Sequence, residues 1–136
     1  MSGRVCRAAS AAGVALSALA HLASFTPLGA RVPDAVIVAL FAGALILLVV
    51  MLARLRRLAA PTRAWRRVEV YDWRGLIGRV PPPLRRLVAA TVAYALLNFA
   101  LSVLAEAGAL RVASGHCLLF YLIPFAYFAH VEPGLG

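Results

Sequence analysis

Four long apolar runs separated by short polar breaks set the pattern of this chain. They cover residues 8–25, 35–53, 84–105 and 112–131. The second reads AVIVALFAGALILLVVMLA, nineteen residues without a charge. As a helix it spans roughly 28 Å, the depth of a bilayer's hydrocarbon core. Pro27, Gly29 and Pro33 break the chain before this run, and Pro33-Asp34 suits a helix entry. Three prolines at 81–83 lead into the third run as a stiff segment outside the helix. Pro124 is expected to kink the fourth, and Ser114 is a candidate N-cap for it.

The polar residues inside these runs are ordered. Ser10, Gly13, Ser17, His21 and Ser24 recur at three- and four-residue spacing, so a helix gathers them on one face. Small and hydroxylated residues on one face let a neighbouring helix approach closely. Ala35, Ala39 and Gly43 form a similar seam on the second run. Thr91, Tyr94, Asn98, Ser102 and Glu106 fall within an arc of about 120° on the third. An amide in mid-membrane must face protein, because an unsatisfied polar group in hydrocarbon costs several kcal/mol. The fold expected is therefore all-α: one integral membrane domain over residues 1–136, a four-helix up-down bundle.

Composition sharpens this picture. Hydrophobic residues make up 63% of the 136 and the mean hydropathy is +0.88, too apolar for water to be the main solvent. The formal net charge is +9, carried by fourteen arginines and no lysine. Ten of the arginines lie between Arg54 and Arg86, and Arg4 and Arg7 stand at the N-terminus. Only Arg31 and Arg111 fall in the other two loops. Arginine-rich loops stay on the cytoplasmic side, so twelve against two predicts cytoplasmic N- and C-termini in a multi-pass bacterial inner-membrane protein. The partner this charge implies is the anionic headgroup layer and not nucleic acid, with Arg54, Arg56, Arg57, Arg63, Arg66 and Arg67 facing it from the loop at 54–83. Within that loop, residues 68–73 suit a short extended piece and 73–79 a helical turn on the membrane surface. A competing reading makes the first run a signal peptide cleaved after Ala18-Leu19-Ala20; the retained helix is preferred because apolar character continues through Phe25.

Three stretches look familiar together: ALAHLASF, WRGLIGRVPPPLRRLVAATVAYALLNF, and Arg111 through Ser114, Gly115 and His116 to Phe120 and Tyr121. They resemble a group of small, uncharacterised four-span bacterial inner-membrane proteins, whose fourth helix opens with an R-x-x-S-G-H-x-x-x-F-Y pattern. Cys117 departs from that pattern, where an aromatic residue is expected. The resemblance implies the topology and no activity.

The candidate chemistry lies at the outer end. His21, Glu106, Arg111 and His116 are expected at one depth; Asn98, nearer mid-membrane, and Ser114, at the start of the fourth helix, complete the candidate polar residues. Ionisable groups there either pair with one another or mark a site. Two imidazoles at one level suit a haem or a divalent metal, with His21 and His116 as ligands and Glu106 completing the set or bonding Arg111. Cys6 and Cys117 are expected near opposite membrane faces, out of disulfide reach, and neither belongs to a CxxC motif. No nucleophile–base spacing or phosphate loop occurs. The sequence thus favours a non-enzymatic accessory, assembly or interaction protein with no cofactor, acting as a homo-oligomer or on a membrane partner. A metal- or haem-binding redox protein is the alternative, and a small transporter subunit the second.

Overall fold

The computed structural model describes residues 2–59, 77–106 and 108–134. The extended piece at 68–73, most of the surface turn at 73–79, and Arg63, Arg66 and Arg67 lie outside the described residues. Among the described residues the chain is all-helical: α1 (Gly3–Ala23), α2 (Asp34–Ala59), α3 (Pro82–Leu104) and α4 (Ala109–Ala126), which continues as a π-helical turn over Tyr127–Val131. Among the described residues, four segments are long and apolar enough to cross a membrane: Gly3–Ala23, Asp34–Arg57, Pro82–Leu104 and Ala109–Val131.

The helix ends differ from the sequence expectation for local reasons. α1 starts at Gly3, earlier than residue 8, because the Ser2 hydroxyl caps it by accepting the Val5 N–H at 3.3 Å. α2 runs on past residue 53, since arginine and leucine are good helix formers and no proline intervenes before position 61. Pro82 and Pro83 sit inside the first turn of α3, with Pro81 as N-cap; N–H groups are unpaired there anyway, so proline costs little. α4 opens at Ala109 behind Gly108, which places Ser114 inside the helix and not at its cap. It passes through Pro124, which cannot donate a backbone hydrogen bond, and widens into the π turn three residues later.

The fourth helix is the hub. Half of its span (50%) is buried, against 17% for α3 and 22% for α2, and it packs on all three other helices. The inward stripe of α1 is Cys6, Ser10, Gly13, Ser17 and His21, as its spacing suggests. Ser24 closes the helix instead, donating its hydroxyl to the His21 carbonyl at 2.6 Å. The side chain that locks the hub is Tyr121. Its ring lies over Gly13 of α1, its hydroxyl faces Gly43 of α2, and that hydroxyl donates to the Leu40 carbonyl at 2.8 Å.

The seam expected on α2 is corrected here. Ala35 and Ala39 are exposed, and the packed stripe is Leu40, Ala44, Leu47 and Met51 with Gly43 beside it. Alanine is small on whichever face it falls, so spacing alone did not select the face on which Tyr121 lands. At the other end of α2, Arg54 pairs with Glu132, and the Arg54 guanidinium also lies 5.7 Å from the Phe128 ring centre. Arg56 and Arg57 are exposed. Cys6 and Cys117 are both buried free thiols. The outer faces carry Leu16, Leu19, Leu45, Ile46, Leu97 and Leu101, while serine, histidine and asparagine point inward. This inverts the pattern of a protein folded in water.

Candidate functional site

Three helices meet around the His21 ring. The last turns of α1 supply His21, which is 6% exposed. α3 supplies Tyr94 and Asn98, one turn apart on the face the sequence marks as polar. The start of α4 supplies Arg111, Ser114 and Gly115. The Ser114 hydroxyl donates to the Leu110 carbonyl one turn back at 2.6 Å. A hydroxyl has one proton, so at His21 Nδ1, 2.9 Å away, Ser114 Oγ is the acceptor. In the neutral ring this puts the proton on Nδ1 and leaves Nε2 to accept from the Tyr94 phenol. The hydrogen bonds thus run in one direction, from Tyr94 through His21 and Ser114 to the backbone of α4.

Asn98, 3% exposed, donates from Nδ2 to the Arg111 carbonyl at 3.1 Å. The Arg111 guanidinium carbon lies 4.4 Å from the Phe25 ring centre, and Phe25 meets the His21 ring edge-on at 5.1 Å. Arg111 Nε is buried with no hydrogen-bond partner among the described residues. Gly115 makes this crossing possible. A methyl group there would stand 2.7 Å from Asn98 Nδ2 and 3.6 Å from His21 Cε1. Gly115→Ala is therefore expected to push Asn98 off the Arg111 carbonyl and lower stability by about 1 kcal/mol. Reversible unfolding in mild detergent measures this, and an unchanged midpoint would contradict it.

Of the residues singled out from the sequence, His21, Asn98, Arg111 and Ser114 come together. Glu106 and His116 do not join them. Glu106 ends α3 in the left-handed backbone region (φ 50°), is exposed, and forms no ion pair with Arg111. His116 turns the other way: its Nδ1 donates to the Val112 carbonyl at 2.8 Å, and its ring faces Phe99 and Phe120. The reason is angular. Positions 114 and 116 are about 200° apart around a helix, so Ser114 and His116 cannot both face α1. His21 and His116 therefore do not form a ligand pair in this arrangement, and both ring nitrogens of His21 are engaged by hydroxyl groups. Among the described residues no three His, Cys, Asp or Glu side chains cluster to hold a metal ion.

Two pairings are not legible from the sequence. Tyr94 was on the polar arc, but nothing in the spacing pairs it with a residue 73 positions away. Arg54 and Glu132 are 78 positions apart, and only the fold joins them. Compared with protein-family models, curated proteins and solved structures, the chain matches none.

Proposed function

We propose that the chain is a multi-pass protein of the bacterial inner membrane. In this reading it is an up-down bundle with both termini in the cytoplasm, and it acts by contacting other membrane components and not by catalysis. The observation that carries this reading is that His21, Tyr94, Ser114 and Asn98 spend their polar atoms on one another or on backbone carbonyls. His21 uses both nitrogens, Ser114 bonds the backbone, and Asn98 holds the Arg111 carbonyl. Within this cluster both His21 nitrogens and the Ser114 hydroxyl are already engaged in hydrogen bonds. The outer faces of α2 and α3 are instead broad and apolar, with Leu45, Ile46, Leu97 and Leu101 exposed, and a bilayer or a neighbouring helix suits them.

Contacts between helix ends support the orientation. His21 meets Ser114, which brings the C-terminal end of α1 to the N-terminal half of α4. Glu132 lies against both Gly3 and Arg54, so the start of α1, the basic end of α2 and the segment after α4 share one end. That end also holds most of the arginine, which the positive-inside rule assigns to the cytoplasm. The likeness of residues 111–121 to small four-span inner-membrane proteins agrees with this.

Reporter fusions after residue 28 and after residue 134 test the topology, with outward and inward signals expected respectively. Photo-crosslinking groups at Leu45 and Leu97 in native membranes test the mode of action. One discrete protein adduct from one helix face is expected. Adducts to lipid alone at both positions would remove the interaction reading.

A further inference from the structure

A second feature lies at the arginine-rich end, away from the His21 cluster. α2, α3 and α4 leave between them a cleft of about 300 Å³ that opens to the surface. Leu55, Val80, Val88, Ile123 and Ala126 give it apolar walls, and among the described residues Arg85 is the one charged side chain in its lining. Arg85 and Arg86 stand one turn into α3, whose first turn carries no acidic residue. The positive end of the helix dipole and the Arg85 side chain thus lie at the same end of the cleft, where an anion is favoured. Tyr127, also in the lining, is 5% exposed, and its buried hydroxyl has no hydrogen-bond partner among the described residues.

We infer that this cleft binds one phospholipid with an anionic headgroup, its acyl chain along the apolar walls and its phosphate at Arg85. Charge complementarity selects this occupant. An apolar slot with a cation at one end matches a hydrocarbon chain joined to an anion. A neutral helix would bring no counter-charge to Arg85, and a free anion would leave the apolar walls unfilled. The inference rests on the membrane reading above.

The test uses the full chain in mild detergent, with lipid retention read by native mass spectrometry. The probes are phosphatidylglycerol, phosphatidylcholine with the same acyl chains, and inorganic phosphate. Phosphatidylglycerol is expected to be retained about fivefold better than phosphatidylcholine, the effect of one basic side chain near a headgroup. Arg85→Gln is expected to erase that preference. Arg57→Gln, an equal loss of charge at an exposed position outside the lining, is expected to keep it. Ala89→Trp, at an exposed position in the lining, is expected to lower retention of both lipids without loss of helix content. Equal retention of the two lipids, or a preference that survives Arg85→Gln, would overturn the site. Binding of phosphate with no lipid retained would make it an anion site and overturn it too. Alkaline carbonate extraction separates the two levels. If the protein leaves the membrane fraction, the membrane reading fails; if it stays and shows no lipid preference, only the cleft assignment fails.

Discussion

Gly13→Ala is expected to destabilise the bundle by about 1–3 kcal/mol, as overpacking of a well-filled core does. A methyl group at Gly13 would fall among Cγ, Cδ1 and Cε1 of the Tyr121 ring, near its base and not at a flexible tip. The ring cannot retreat. It is 5% exposed, its hydroxyl is bonded to the Leu40 carbonyl, and Gly43 lies against that hydroxyl on the far side. The strain must pass to the backbone, so α1 separates from α4 and His21 is drawn from Ser114. Gly108→Ala is the control, because a methyl group there meets nothing within 4 Å. Both variants are compared by reversible unfolding in mild detergent, followed by circular dichroism. A Gly13→Ala midpoint equal to that of Gly108→Ala would show that Tyr121 does not fix the distance between α1 and α4.

Gly13 also shows which parts of this fold could be read from the sequence. A lipid-facing helix gains nothing by burying leucine, so the small and polar residues mark the inside. That logic found the stripe from Ser10 to His21 and the inward position of Asn98. Depth along the helices was legible only in part: His21 and Arg111, expected at one level, meet through Phe25, and Asn98, read as mid-membrane, joins them. Rotation about each axis was harder to read. Ala35 and Ala39 had the spacing of a seam and lie on an exposed face, because the position of the large Tyr121 ring decided where α2 packs. His116 had the right depth and the wrong angle, and Ser114, two positions earlier, faces α1 in its place. Glu106 lies two residues past the end of α3, in a left-handed turn. Long-range pairs such as Tyr94 with His21 leave no trace in local spacing, so only packing reveals them.

The second large effect is expected at His21, and its size depends on what remains when the imidazole is removed. His21→Leu keeps much of the volume and deletes two hydrogen bonds. Ser114 suffers little, since its proton already goes to the Leu110 carbonyl. Tyr94 suffers more: its phenol loses its acceptor and is left beside an apolar side chain, with 39% of the residue exposed on the outer surface of the bundle. A hydrogen bond between membrane helices contributes about 0.6 kcal/mol on average, whereas in the membrane reading a phenol left without a partner faces hydrocarbon and costs about 1–3 kcal/mol. The single variant His21→Leu is therefore expected to lose about 2 kcal/mol. Adding Tyr94→Phe removes the stranded hydroxyl, so the double variant is expected to recover about 1 kcal/mol of that loss. Tyr94→Phe alone leaves His21 Nε2 without a donor and sits between wild type and His21→Leu. Unfolding midpoints of the four proteins form a double-mutant cycle. Recovery in the double variant requires the phenol to be a donor held by His21. Additive losses would mean that Tyr94 and His21 are not coupled, and the directional chain from Tyr94 to the backbone of α4 would fall.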